Sequence, residues 1–217
     1  MVKHNIQHRY IAVEGCIGSG KTTLVNLLAA ELDARVVLDE SDNPFLKDYY
    51  EDKRGAAFQA QLFFLLSRHR QQAELNQADL FQQMMICDYL FEKDKIFAYL
   101  SLEDSELALY EKLYNMLAQS VPVPELVIYL QASDETLRRR IEKRNRIYES
   151  DISDEYILEL NRAYSYFFSH YSEAPLLTVQ TDGVNFVEDR SKLLDLIVQI
   201  ETMTEGTRHY LPLGSAS

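Results

Sequence analysis

Tryptophan is absent from this sequence, and cysteine, proline and glycine are scarce: two, five and seven among 217 residues. Two cysteines, Cys16 and Cys87, are too few for a disulfide framework, and both fall in segments that read as buried α/β structure; a reducing cytoplasm is the expectation. Positive charge is also short. Lysine and arginine number 22 against 34 aspartates and glutamates, a net charge of −12. That balance argues against non-specific binding to a nucleic-acid polymer, which depends on a basic surface to neutralise phosphates. Long hydrophobic runs are missing too. None approaches the ~20 residues needed to span a bilayer, and no secretory signal pattern is present, so no membrane association is expected. No internal repeat or low-complexity segment occurs. What remains has the apolar and charged fractions of an ordinary globular protein.

Three of the seven glycines lie in one short stretch. An apolar run, Tyr10-Ile11-Ala12-Val13, stops at Glu14, and Gly15-Cys16-Ile17-Gly18-Ser19-Gly20-Lys21-Thr22 follows, with Thr23 as a second hydroxyl. This fits G-x-x-x-x-G-K-[ST] in its required context, a strand before and a helix after. Leu24, Leu27, Leu28 and Leu32 recur at helical spacing, so Lys21 opens an amphipathic helix. Glycines let the backbone curl so that successive N–H groups face phosphate oxygens, and the positive end of the helix adds to that field. Lys21 is a mobile charge for the outer phosphates, and Thr22 a hydroxyl ligand for Mg²⁺. The alternative, a glycine-rich turn with no ligand, has no need of Lys-Thr directly after the glycines.

Further along, Arg35–Leu38 reads as a second buried strand ending in Asp39-Glu40, Met84–Cys87 as a third ending in Asp88, Leu126–Leu130 as a fourth and Leu176–Val179 as a fifth. Helical patterns fill the intervals: about 47–82, 89–119, 154–171 and 187–203. Strands alternating with helices predict a five-stranded parallel sheet covered by helices on both faces, in a single domain over residues 1–205. Residues 206–217 lack periodicity and are expected to be a disordered tail.

Carboxylates just past strand ends are where open α/β sheets build their sites. Asp88 resembles the Walker B acid, able to reach the Mg²⁺ shell or orient a phosphate acceptor; a helix N-cap is the compatible alternative. Asp39 and Glu40 are candidate general bases for an acceptor hydroxyl, the alternative being a solvated acidic loop. Gln59 shares a helical face with Leu62, Phe63 and Leu66, and an interior amide needs both a donor and an acceptor partner. A nucleobase edge offers both; backbone or water is the alternative. The basic run Arg138–Arg146 stands out in so acidic a chain. Arg140 and Arg144 share a face, with Arg146 at the helix end, and Arg144 and Arg146 are candidates to neutralise charge in phosphoryl transfer. Arg138 and Arg139 read as a solvated face.

The segments EGCIGSGKTTL, DESDNPFLKDYY, AAFQAQLFFLLSRHRQQ, ICDYLFEKDKIFA, VIYLQAS and RIEKRNRIYE together resemble the deoxynucleoside kinase family, in particular its bacterial deoxyadenosine/deoxyguanosine kinase branch. The resemblance runs from about Tyr10 to Val187. It implies a P-loop kinase fold with an Arg-rich lid carrying Arg144 and Arg146. It also implies ATP-dependent phosphorylation of the 5′-hydroxyl of a deoxyribonucleoside with Mg²⁺, in a homodimer. Gln59 would read the base with Phe97 stacking on it, and Tyr50 and Glu149 would hold the 3′-hydroxyl. Asp88 falls on the acid of the family's Asp/Glu-Arg-Ser motif. Tyr89 departs from the arginine usual after that acid, leaving Arg68 and Arg70 as candidates at the 5′ end. The family's spacing after Lys21 lands on Asp39, whereas counting back from Asn43-Pro44 favours Glu40, which also has the longer reach. Two rival readings remain: a nucleoside monophosphate kinase of the thymidylate kinase kind, and a non-enzymatic nucleotide switch. The NPFL and FQ segments favour a nucleoside acceptor over the first. The second lacks an N-K-x-D element.

Overall fold

The computed structural model describes residues 5–39, 42–51, 53–77, 83–144 and 153–212; the side chains of Tyr50 and of residues 74–77 are not included. The chain forms two compact units: Met1–Leu38, Leu80–Leu90 and Val123–Ser217 make the first, and Asp39–Asp79 with Phe91–Pro122 the second.

The first unit is built on β1 (Tyr10–Gly15), whose six residues are all buried. The other strands are β2 (Arg35–Val37), β3 (Met85–Cys87), β4 (Leu126–Gln131), β5 (Leu176–Gln180) and β6 (Thr207–Tyr210). They pair in the order β2-β3-β1-β4-β5-β6, and every pairing is parallel. Continuous apolar runs are what a sheet covered on both faces requires.

Alternation along the strands shows which helix covers which face. Ile11 and Val13, Ile86, Leu126, Ile128 and Leu130, and Leu177 and Val179 share one core with α1 (Lys21–Leu32) and α8 (Arg190–Thr202). Those helices turn in Leu24, Val25, Leu28 and Ala29, and Leu193, Leu196, Ile197 and Ile200. On the opposite face Tyr129 stacks on Phe168 of α7 (Asp154–Ser169), ring centroids 4.2 Å apart. The Ser153 hydroxyl caps α7 by accepting from the Tyr156 N–H at 3.1 Å. The remaining helix of this unit, α6 (Asp134–Arg144), buries Thr136, Leu137 and Ile141.

The sheet has six strands rather than the five expected, because residues assigned to a disordered tail form β6. Thr207–Tyr210 alternates exposed and half-buried positions at a sheet edge, so it carries no apolar run that periodicity could detect. Its pairing with β5 runs from Leu176↔Thr207 to Val179↔Tyr210.

The second unit is helical: α2 (Leu46–Tyr50), α3 (Ala56–Gln77), α4 (Lys93–Ser101) and α5 (Asp104–Ala118). Leu65, Phe91, Ala98, Tyr110 and Tyr114 form its core, with the Phe91 and Tyr114 rings stacked at 5.3 Å. A capping box between Glu103 and Glu106 starts α5.

The order of the sheet decides where chemistry can sit. The chain leaves β1 toward β2 on one side and leaves β3 toward β4 on the other. The carboxyl ends of the neighbours β1 and β3 therefore mark the switch point, where open α/β sheets bind ligands.

Candidate functional site

At that switch point β1 delivers the chain into the glycine loop. A Cβ on Gly15 would stand 2.6 Å from the Leu130 carbonyl and 2.7 Å from Ser19 Oγ, so only glycine passes there. Gly20 has φ +99°, which favours glycine, and no atom lies within 4 Å of where its Cβ would be. The loop closes through a Ser19 N–H to Cys16 carbonyl bond of 3.1 Å, and α1 begins with Leu24 N–H donating to the Gly20 carbonyl at 3.0 Å. Lys21 folds back over the loop. Its Nζ donates to the carbonyls of Gly15 at 2.6 Å and Cys16 at 3.2 Å, and stands 3.9 Å from Glu14 Oε1. Ser19 Oγ is buried and, among the described residues, has no hydrogen-bond partner. A buried donor without a partner beside a helix N-terminus suits an anion.

Glu14, which the motif reading passed over, is fully buried beneath this loop. Its Oε1 accepts from the Gly15 N–H at 3.0 Å and the Tyr164 hydroxyl at 3.1 Å, and its Oε2 from the Leu90 N–H at 2.9 Å. The only sequence signal for it was a carboxylate inside an apolar strand, where a charge has to be compensated. Asp88 is 5% exposed and accepts from the Thr22 hydroxyl at 2.7 Å, while its own N–H donates to the Val37 carbonyl. Thr22 and Thr23 are exposed at the start of α1. Thr22 and Asp88 offer a hydroxyl and a carboxylate oxygen, which suits a hard cation held by few protein ligands. No group of three or more His, Cys, Asp or Glu able to hold a metal occurs among the described residues.

Arg140 braces the loop from α6. Its Nη1 donates to the Ser19 carbonyl at 3.0 Å and to Thr181 Oγ1 at 3.1 Å, and its Nη2 to the carbonyls of Thr181 at 2.7 Å and Val184 at 3.2 Å. Of the two arginines singled out from the basic run, Arg144 is exposed at the end of α6. Arg146 lies outside the described residues, as do Glu40, Glu149 and the side chain of Tyr50.

In the second unit Asp39 meets two cations. Arg68 grips both of its oxygens, Nε to Oδ1 and Nη2 to Oδ2 at 2.9 Å each, and Lys93 Nζ reaches Oδ2 at 2.7 Å. Arg68 Nη1 also donates to Asp94 Oδ1, and its guanidinium lies 4.7 Å from the centre of the Phe64 ring. Burial pushes the Asp39 carboxyl up, but Arg68 and Lys93 outweigh it and hold it well below the usual carboxylate range.

The interior placement expected for Gln59 is corrected: Gln59 is exposed, and Leu66, assigned to the same inward face, is 54% exposed. The buried positions of α3 are instead Ala56, Ala60, Gln61, Leu65, Arg68 and Gln72, spaced i, i+4, i+5, i+9, i+12 and i+16. Apolar residues occur nearly all round the first half of α3, so their pattern does not select the inward face. Gln61 is the amide that faces inward, 3% exposed, donating to Ser101 Oγ at 3.3 Å. The Ser101 hydroxyl donates in turn to the carbonyl of Phe97, whose ring is half-buried on α4. Arg70 is exposed. Asn43 ties the Asn-Pro turn to α3, donating to the Ala60 carbonyl at 2.9 Å.

A family model described as "Deoxynucleoside kinase" matches residues 11–205. The deoxyguanosine kinase of Bacillus subtilis (strain 168) is 36% identical over 188 residues, covering 84% of this chain and 91% of that protein. The deoxyadenosine kinase of Dictyostelium discoideum is 34% identical over 177 residues, covering 78% and 71%. Among solved structures, a deoxyadenosine kinase from M. mycoides with bound dATP superposes with a TM-score of 0.71 at 27% identity, covering 87% of this chain and 97% of that one.

Burial pushes the thiols of Cys16, inside the loop, and Cys87, at the end of β3, up to about 12. Iodoacetamide at about pH 8 should therefore leave both unmodified in the folded protein and alkylate both once guanidinium unfolds it. Rapid labelling of Cys16 in the native protein, read by intact mass, would show that the loop does not pack as described.

Proposed function

Because the chain belongs to the deoxynucleoside kinase family, we propose that it moves the γ-phosphoryl group of ATP to the 5′-hydroxyl of a deoxyribonucleoside, yielding ADP and the 5′-monophosphate. Phosphorylation of a deoxynucleoside is the activity of the family, and this chain is such an enzyme. The observation that carries the finer reading is the pairing of Thr22 with Asp88, beside Lys21, where β1 and β3 end.

The first unit would handle the donor. The N–H groups of residues 15–22 and the start of α1 receive phosphate oxygens, and Lys21 exchanges the carbonyls of Gly15 and Cys16 for the outer phosphates. Thr22 and Asp88 would hold Mg²⁺, which would supply positive charge to the transferring phosphoryl group. Arg144 and Arg146 would close over the donor, while Arg140 keeps the loop in shape.

The second unit would recognise the nucleoside. The half-buried Phe97 ring and the inward amide of Gln61, rather than Gln59, would take the base, and the purine-directed relatives favour a purine. Tyr50 and Glu149 would hold the 3′-hydroxyl. As O5′ bonds to the γ-phosphorus, the bond from that phosphorus to the β-bridging oxygen breaks and its electron pair stays on ADP. The hydroxyl proton goes to Asp39, the carboxylate oriented by Arg68 and Lys93, in preference to Glu40. Two buried free thiols suit a reducing cytoplasm. Leu109 and Met116, seven positions apart and exposed on α5, offer an apolar stripe for pairing two copies.

Two measurements test this reading. ADP formation should depend on added deoxynucleoside and be negligible with deoxynucleoside monophosphates or with no acceptor, and Lys21→Ala should lower kcat at least ~10²-fold in a folded protein. Turnover driven by a monophosphate would reassign the acceptor. In the same assay Gln61→Leu should raise the nucleoside KM by roughly 5- to 150-fold, the equivalent of about 1–3 kcal/mol for a lost paired contact, with Gln59→Leu unchanged. The reverse pattern would return the base contact to Gln59.

A further inference from the structure

Four charged side chains of the second unit form an alternating chain, Lys93–Asp39–Arg68–Asp94. Arg68, Lys93 and Asp94 are 6%, 5% and 1% exposed. Removing such a set from water costs free energy that apolar residues of the same volume would not incur, so stability alone does not explain it. Arg68 already satisfies Asp39 with a two-pronged contact to both oxygens, yet Lys93 adds a second cation to Oδ2. The place of Lys93 is itself unfavourable. It is the first residue of the nine-residue helix α4, where the backbone dipole favours an anion, and it is buried. A lysine set against the helix dipole and out of water nonetheless holds this carboxylate at 2.7 Å.

We propose that Lys93 is a positioning residue for the phosphoryl transfer, acting through Asp39: with Arg68 it fixes the carboxylate in the orientation that takes the acceptor's proton. This rests on the reading of Asp39 as the base. The O5′–H bond breaks, its proton passes to Asp39, its electron pair becomes the new O5′–P bond, and the bond from the γ-phosphorus to the β-bridging oxygen breaks with its electron pair on ADP. Position matters more than basicity in such a transfer, where little covalent work is asked of the protein. That is how a carboxylate weakened as a base by two cations can serve.

Among the described residues, Arg68 from α3 and Lys93 from α4 face Asp39, Asp94 of α4 lies across Arg68, and Tyr110 of α5, whose hydroxyl burial pushes up, lies beyond them. Removing the charge of Lys93 leaves Asp39 and Asp94 sharing Arg68, so the proton affinity of Asp39 rises. Lys93→Met should lower kcat about tenfold, less than the roughly 10²–10⁴-fold carried by a general base, with the nucleoside KM within about threefold of wild type. The acidic limb of kcat/KM against pH should move up by about one unit or more. Lys93→Gln, which keeps a donor without the charge, should shift the limb alike and serves if the methionine variant does not fold. A lowered melting temperature with kcat and the acidic limb unmoved in a folded variant would overturn the proposal and make Lys93 structural. Asp39→Asn, run in parallel, separates the two ideas, since near-normal kcat there removes Asp39 as the base whatever Lys93 does.

Discussion

The parallel register of β1 against β3 is the constraint on which the proposed phosphate chemistry depends. Tyr10, Ile11 and Ala12 stand opposite Met85, Ile86 and Cys87, so the two strands end side by side and in the same sense. The chain after β1 turns into the glycine loop, and the chain after β3 presents Asp88 one position past its end. Thr22, at the start of the helix that follows the loop, then reaches Asp88 at 2.7 Å. A slip of one residue in that register would move Asp88 to the other face of the sheet. Glu14 reinforces the same alignment, since its carboxylate joins the Gly15 N–H at the end of β1 to the Leu90 N–H beyond β3.

Buried charge marks both halves of the proposed chemistry. In the first unit Glu14 is fully buried near Lys21, and in the second the half-buried Asp39 is linked in series with the buried Arg68, Lys93 and Asp94. The effective cost is several kcal/mol per buried ion even after relaxation. Elsewhere among the described residues the interior is mainly aliphatic and aromatic, with scattered uncharged polar side chains such as Gln72 and Thr178, and Asp88 is a further buried carboxylate. In each place a charged group that, on the proposed reading, acts on a phosphate or a hydroxyl is held in one position before the reaction begins. That preorganisation is how phosphoryl transfer is accelerated when the protein forms no covalent intermediate.

The legible parts of the site were those whose chemistry is local in the chain. Gly15 to Thr22 form one continuous motif, and Asp88 directly follows an apolar strand, so both could be placed from spacing alone. Alternation of apolar strands with helices likewise implied the covered parallel sheet. The choice between Gln59 and Gln61 depended on which side of α3 faces inward. Leu62, Phe63 and Leu66 blurred that side, which Ala60, Leu65, Arg68 and Gln72, buried together with Gln61, define. Lys93 gave no signal because its importance lies in a contact with Asp39, 54 positions earlier. Glu14 was hidden for a related reason: its partners Tyr164 and Leu90 lie 150 and 76 positions away. The strand β6 escaped because an edge strand half open to water carries polar residues.

The central claim is that the donor's phosphates and their metal ion sit where β1 and β3 end, between Lys21, Thr22 and Asp88. Titration calorimetry of ATP, with and without Mg²⁺, on wild type, Thr22→Val, Asp88→Asn and the double variant addresses it directly. If the two side chains hold one ion, each single change should weaken Mg²⁺-dependent binding by about tenfold and the double change by little more, while metal-free binding stays the same. Mg²⁺-dependent affinity equal to wild type in all three variants would place the phosphates elsewhere and contradict the account.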